Sequence, residues 1–140
     1  MYIGVDLGTS SIKIVLVDRN DKVLEFSSRS IVTERPLIGH SEQDPNSWFD
    51  ALLDGFDELS SKAGKDMARV KGIGLSGHMH SAILMDSTNN PIGNAILHND
   101  GRAEKEACEL NEKFPHLAEK ACVIAMPSFT GPKLLWLSRN

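Results

Sequence analysis

The spacing of apolar and polar residues predicts that the chain opens with three strands. Two β-branched apolar runs, residues 2–6 and 12–18, flank the small-residue stretch LGTSS. Runs of this length around a short turn are typical of a β-hairpin. A third apolar run, residues 22–30, follows a polar turn at residues 19–21, and such turns separate strands. The pattern therefore predicts a sheet that begins with an antiparallel meander.

A long helix is predicted after the meander. Asp44 favours the N-cap position, and Pro45 suits the first helical residue. Apolar residues then recur at helical spacing over roughly 18 residues. The members of this stripe are Trp48, Leu52, Phe56 and Leu59. Gly55 inside the helix costs about 1 kcal/mol relative to alanine, and we expect the stripe to offset that cost by packing on the sheet.

In the second half of the chain, the pattern of apolar residues predicts shorter elements. Three apolar runs indicate strands at residues 70–76, 82–85 and 92–97. Helical spacing returns at residues 103–114, and a last helix is predicted over residues 131–137. This order of strands and helices fits a mixed α/β layer, in which helices cover a sheet.

Composition narrows the class of protein. The chain has 140 residues, 41% of them apolar and 24% charged, which predicts one folded domain. A formal net charge of −4 without a Lys/Arg cluster argues against nucleic acid and anionic membranes as partners. No secretory leader and no long apolar run are present, so we expect a cytoplasmic protein. Cys108 and Cys122 lack the paired spacing of metal sites.

Candidate chemistry lies in the turn of the first hairpin. A carboxylate at the end of a buried strand is costly unless it meets a cation or a hydrogen-bond network, so Asp6 predicts a metal partner. Gly8 allows a tight turn, while Thr9, Ser10 and nearby amides could donate hydrogen bonds to phosphate. The turn has neither the Walker nor the dinucleotide-binding pattern. A plain glycine turn remains the alternative explanation.

Four stretches, in order, resemble one family of enzymes. The opening MYIGVDLGTSSIKIVLVD resembles the first phosphate-binding motif of the actin/Hsp70-like ATPase superfamily. Three further stretches resemble its FGGY carbohydrate kinases, and most closely the xylulokinase branch. They are SEQDPNSWFDAL, VKGIGLSGHMHSAILMD, and AILHNDGRAEKE together with MPSFTGPKLLWL. The resemblance covers the chain and implies a ribonuclease H-like (actin-like ATPase) mixed sheet covered by helices. It places residues 1–140 in the N-terminal kinase domain, with the C-terminal ATP lobe absent.

The resemblance implies ATP-dependent phosphorylation of D-xylulose to D-xylulose 5-phosphate by a longer parent protein. ATP and Mg²⁺ are the implied cofactors, with Asp6 as a catalytic residue that helps hold the metal. Gly8, Thr9 and Ser10 would cradle the β- and γ-phosphates. The family's catalytic base lies further downstream, so we expect the 140 residues alone to be inactive. A homodimer of the full-length protein is a further expectation from the resemblance.

The same resemblance implies a sugar site. Met79–His80 stands where glycerol kinases carry Arg-Glu, which favours a ketopentose; imidazole donates and accepts hydrogen bonds, and methionine offers an apolar wall. Asn99, Asp100 and Arg102 match the family's Trp-Asn-Asp-x-Arg signature, although a histidine replaces the tryptophan. The residues alone leave two alternatives open. One alternative describes His80 as an ordinary polar residue at a strand end or as part of a chance metal-like pair with His78. The other describes Asp100 as the N-cap of the next helix, which explains that residue equally well.

Other functions and other residues remain open at the level of sequence. The alternatives are a kinase for another ketose or polyol such as ribulose or glycerol, a catalytically silent sugar-binding regulator, and a nonenzymatic actin- or Hsp70-like ATPase module. Trp48 and Trp136 are expected in the core rather than on a sugar. Lys133 lies near a helix start where an anion could bind, but nothing in the sequence requires that role.

Overall fold

A computed structural model describes residues 1–140, and the chain divides into two units. The first unit contains Met1–Val32 and Pro45–His78, and the second contains Thr33–Asp44 and Met79–Asn140. Residues 33–44 belong to the second unit because they hydrogen-bond with the later part of the chain. No helix is long and apolar enough to span a membrane.

A four-stranded mixed sheet forms the first unit. Its strands are β1 (Tyr2–Leu7), β2 (Ser11–Val17), β3 (Val23–Ser30) and β5 (Ile73–Ser76). Their order across the sheet is β3-β2-β1-β5, antiparallel except for the β1–β5 pair. The predicted hairpin and third strand are therefore confirmed. The predicted strand at residues 70–76 begins later, at Ile73, after a 3₁₀ helix over Gly64–Arg69.

Helix α1 (Pro45–Ala63) covers this sheet and confirms the predicted helix and its orientation. Alternate residues of β2 face it, as the two-residue period of a strand requires, and Ile14 is completely buried there. Gly55 is explained by this packing, because a Cβ atom at that position would lie 2.8 Å from Ile14 Cδ1. The Gly55 carbonyl also accepts a hydrogen bond from Ser27 Oγ at 2.7 Å.

The second unit contains a small sheet and three helices. Strand β4 (Glu42–Gln43) pairs antiparallel with β6 (Ala95–Ile96). The helices are α2 (Glu104–Lys113), α3 (Leu117–Ala121) and α4 (Thr130–Leu137). Helices α2 and α4 pack together and confirm the two helices predicted from apolar spacing. Strand β4 and helix α3 were not predicted, because they are too short for a period to be read.

Two predicted strands of the second unit are wrong in extent. Residues 82–85 form only the isolated bridges Ala82–Ile96 and Met85–Pro91, and the strand predicted at residues 92–97 is reduced to β6. Two local features prevent longer strands. Proline has no backbone donor for a ladder, and the carboxylate of Asp86 closes a tight turn by accepting hydrogen bonds from Thr88 and Asn90.

Candidate phosphate and sugar sites

The residues predicted to bind phosphate lie in or next to the turn between β1 and β2. Asp6 lies near the end of β1, but its side chain is exposed, so the expectation of a buried carboxylate is wrong. Lys13 is its cross-strand neighbour in the register, yet Asp6 makes no ion pair and no side-chain hydrogen bond. The carboxylate is therefore open to a cation from solvent.

Gly8 fixes the shape of this turn. Its N–H donates to the Ser11 carbonyl at 3.0 Å, and a Cβ atom at position 8 would lie 3.1 Å from that oxygen and 3.9 Å from Asp6 Oδ2. A larger residue would therefore crowd the backbone of the turn, while its contact with the carboxylate would be an ordinary van der Waals one. The Ser10 carbonyl accepts from the Ile31 N–H at 2.9 Å, which ties the turn to the chain after β3. Thr9 and Ser10 sit on a backbone that is fixed from two sides.

The donor set around Asp6 suits magnesium better than a metal that needs several protein ligands. No group of three or more His, Cys, Asp or Glu residues is placed to hold a metal. Magnesium commonly binds one or two carboxylates and completes its shell with waters and phosphate oxygens. A single exposed carboxylate beside a glycine turn fits an ion of that kind.

The Met79–His80 pair lies on a loop of the second unit. Met79 is 72% exposed, and His80 is also exposed. His80 has φ +59°, in the left-handed region that few non-glycine residues occupy. The alternative that His80 is a polar residue of a strand is therefore wrong. In the first unit, His78 instead packs edge-on against Trp48 at a ring separation of 5.6 Å, and Trp48 packs on the core as predicted.

Lys133 of α4 is a residue whose position the sequence did not predict. The side chain is completely buried, and its Nζ donates to the carbonyls of His80 at 2.9 Å and Leu97 at 2.6 Å. Because the amine is buried and donates to these two carbonyls, the structure does not support the anion site suggested for this lysine. The only sequence signal was one cation within an apolar helical run.

The buried position of Lys133 makes stability depend on pH. Burial lowers the pKa of this amine from 10.5 to about 8; the Asp100 charge opposes the shift and the Arg102 charge adds to it. Between these values the unfolded chain holds a proton that the folded chain releases, so folding becomes more favourable as pH rises. The full cost of the buried charge is present below pH 8 and is relieved by pH 10.5.

We therefore expect the unfolding free energy of the wild type, measured relative to Lys133→Met, to increase by about 3 kcal/mol between those pH values. Denaturant titrations of both proteins at several pH values measure this difference. Taking the difference cancels other groups that titrate in the same range. A difference that stays constant with pH would mean that Lys133 keeps an ordinary pKa.

A buried ionic network connects the predicted residues Asp100 and Arg102. Asp100 is completely buried. Its Oδ2 accepts from the Ser41 N–H at 2.6 Å and from an Arg102 terminal nitrogen at 2.7 Å. Its Oδ1 accepts from the Arg102 N–H at 2.9 Å and Nε at 2.8 Å. Arg102 also donates to Glu42 at 2.6 Å and lies over the Trp136 ring. Both carboxylate oxygens of Asp100 are bonded, and Arg102 contributes its Nε and one terminal nitrogen to the network.

The ionisation of this network follows from its contacts. Burial alone would raise the pKa of the Asp100 carboxyl, but hydrogen bonds from Arg102 and Ser41, together with the Arg102 charge, hold that pKa below its usual value. Burial alone would likewise lower the pKa of Arg102, and its bonds to Asp100 and Glu42 raise it. The pair is therefore charged at neutral pH.

Asn99 differs from Asp100 and Arg102 in exposure and in hydrogen bonding. Asn99 is exposed and its amide makes no side-chain hydrogen bond, so it can meet a ligand. The N-cap alternative for Asp100 is wrong, because Ala103 occupies that position of α2 and no side chain caps the helix. Of the predicted residues, the turn around Asp6 lies in the first unit, and the others lie in the second.

Comparisons with known proteins agree across the whole chain. Residues 1–140 match the family model described as the FGGY family of carbohydrate kinases, N-terminal domain. A xylulose kinase of Klebsiella pneumoniae is 38% identical over 140 residues, which are 100% of this chain and 29% of that protein. A xylulose kinase of Escherichia coli K12 is 36% identical over 140 residues, which are 100% of this chain and 28% of that protein.

Solved structures show the same relationship. A crystal structure of a xyloylose kinase from Brucella ovis matches with a TM-score of 0.95 and 38% identity, covering 99% of this chain and 29% of that one. The mixed sheet with its helices is therefore the N-terminal part of the sugar kinase form of the actin-like ATPase fold, as the resemblance implied. The chain spans about 28% of the length of its curated relatives. With its full length matched by the family model, the chain belongs to the FGGY family of carbohydrate kinases and represents their N-terminal domain.

Proposed function

We propose that the protein carrying this domain transfers the γ-phosphoryl group of ATP to D-xylulose and releases D-xylulose 5-phosphate. Similarity to xylulose kinases along the entire chain supports the reaction class. The observation that carries the substrate assignment is the exposed Met79–His80 pair, held on its loop by the buried Lys133. An imidazole and a thioether suit the hydroxyl groups and the C–H face of a ketopentose.

On the phosphate side, the proposal uses Asp6, Gly8, Thr9 and Ser10. Phosphoryl transfer depends on positioning and on neutralising the charge of the phosphates. Magnesium, when bound, supplies the positive charge for the β- and γ-phosphates. Asp6 orients that ion through its open carboxylate, and the close approach permitted by Gly8 lets the turn donate hydrogen bonds to phosphate oxygens.

On the sugar side, the proposal divides five residues into two roles. Met79, His80 and Asn99 contact the sugar, since their side chains are exposed. Asp100 acts as a positioning residue because both of its carboxylate oxygens are already bonded within the network. Arg102 has the same role because its Nε and one terminal nitrogen are bonded there. They hold the backbone from which Asn99 projects.

The remaining parts of the reaction belong, in this proposal, to residues outside 1–140. We assign the adenosine pocket and the catalytic base to a C-terminal lobe of the full-length protein, and we expect the 140 residues to show no turnover by themselves. A homodimer and a cytoplasmic location complete the proposal. Measurable phosphorylation by the 140-residue chain would contradict this division.

A coupled ADP-release assay tests the substrate assignment. The full-length protein is incubated with ATP, Mg²⁺ and a panel containing D-xylulose, ribulose and glycerol. We expect D-xylulose to give the highest kcat/KM. Equal rates with glycerol would remove the assignment to a ketopentose. Binding of sugar without any ADP release would instead indicate a catalytically silent regulator.

His80→Asn tests the sugar contact directly. Asparagine tolerates the left-handed backbone of this position, so the loop is preserved while the imidazole is lost. Loss of a sugar hydrogen bond worth roughly 1–3 kcal/mol predicts a KM for D-xylulose that rises about 5- to 150-fold. His116→Asn, at an exposed site in the same unit, is the matched control. An unchanged KM in His80→Asn would show that the imidazole does not contact the sugar.

A further inference from the structure

The burial of Lys133 has an unusual feature. Lysine is almost never fully buried without a carboxylate partner, yet the Nζ of Lys133 bonds to two backbone carbonyls and to no acidic side chain. Backbone carbonyls are weaker partners for a buried cation than a carboxylate. The buried position of Lys133 is therefore more easily explained by the segments that its amine joins than by a contribution to stability.

The two carbonyls belong to the two segments that carry the candidate sugar contacts. One carbonyl is that of His80 itself, and the other is that of Leu97, two residues before Asn99. These acceptors lie 53 and 36 positions from Lys133 in the sequence. A single ammonium group therefore joins the loop of His80 to the segment of Asn99.

A second contact supports His80 from its side chain. The imidazole stacks on the ring of Phe129, with the centroids 4.4 Å apart and the planes inclined by 18°. Phe129 occupies the N-cap position of α4, four residues before Lys133. The left-handed backbone of His80 is costly for a non-glycine residue and persists only where its surroundings hold it. Phe129 holds the ring, and Lys133 holds the carbonyl.

We infer that Lys133 and Phe129 are positioning residues for the sugar site: together they fix the backbone and the ring plane of His80 and set its distance to Asn99. This inference rests on the proposed function for the identity of the sugar, but not for the contacts themselves. Neither residue needs to touch the substrate. Their effect is to reduce the conformational freedom that binding would otherwise have to remove.

The test uses two variants of the full-length protein. Lys133→Met keeps the unbranched side chain up to the position of Cε and removes the amine, and Phe129→Leu removes the stacking ring. Both variants are expected to raise the KM for D-xylulose at least about tenfold and to leave the KM for ATP within about twofold. Hydrogen–deuterium exchange of residues 79–82 is expected to become faster in both.

Ala107→Gly is the matched control, because it lowers the stability of α2, which packs on α4, without touching the loop. It should change neither the KM for sugar nor the exchange of residues 79–82. If Lys133→Met does not fold, Phe129→Leu decides the question alone. Unchanged exchange of this loop in the folded variants would overturn the inference. If the wild type prefers another sugar, the proposed function fails while the inference is tested with that sugar.

Discussion

Asp6→Ala in the full-length protein is expected to lower kcat with D-xylulose by about a thousandfold or more, since charge stabilisation at the transferred phosphoryl group is the main source of catalysis in this chemistry. The stability of the protein should not change. Asp6 is exposed and makes no ion pair or side-chain hydrogen bond, so its removal leaves no buried group without a partner. Steady-state kinetics and a thermal unfolding midpoint measure the two effects separately.

Asp50→Ala is the control for this experiment, because Asp50 is an exposed aspartate of the same unit and lies on α1. It should retain wild-type kcat. The rate of Asp6→Ala should also respond more weakly to added Mg²⁺, because the carboxylate that orients the ion is gone. A rate within tenfold of the wild type would show that Asp6 does not anchor the metal, and the phosphate site would have to be placed elsewhere.

Periodicity predicted the first unit well because its elements are long and regular. Strands β1, β2 and β3 are six to eight residues long, with one register shift between β2 and β3, and the apolar stripe of α1 lies on one face. The reason for the glycine at position 55 was not visible in the sequence. It depends on the approach of Ile14 from a different element, which no local pattern records.

The sequence predicted the second unit less well because long-range contacts determine its structure. Residues 82–85 are apolar, but they form isolated bridges with distant partners rather than a strand. The sequence placed Lys133 near a helix start where an anion could bind, whereas its two partners lie far away in the sequence. The exposure of Asp6 was also missed, since the burial of a strand end depends on what packs there rather than on strand period.

The signature HNDGR shows why a matched motif does not by itself assign roles to its members. The resemblance placed Asn99, Asp100 and Arg102 on the sugar side as a group. The contacts divide them, because the Asn99 amide is unbonded, while Asp100 is joined to Arg102 by three hydrogen bonds and to Ser41 by a fourth within a buried network. Substitution of Asn99 should therefore affect binding, and substitution of Asp100 should first affect folding.

Asp100→Ala is expected to lower the free energy of unfolding by about 3–5 kcal/mol, the range for breaking one partner out of a buried ion pair. The change leaves the guanidinium of Arg102, whose side chain is only 6% exposed, with Glu42 as its one acidic partner. It also removes the acceptor of the buried Ser41 N–H. Denaturant unfolding monitored by fluorescence measures the loss, and Trp136 beside Arg102 provides a local signal.

Two comparisons separate this network from ordinary surface charge. Lys113→Ala breaks an exposed pair with Glu109 on α2 and should change stability far less. The pH dependence gives the second comparison: the pKa of Asp100 is lowered on folding, so its contribution is present above the unfolded value of 3.8 and is lost as pH falls through the lower folded value. The difference in stability between wild type and Asp100→Ala should therefore shrink only in strong acid. A difference that is small at neutral pH would mean that Glu42 and Trp136 hold Arg102 without Asp100, and it would contradict the structural role assigned to Asp100.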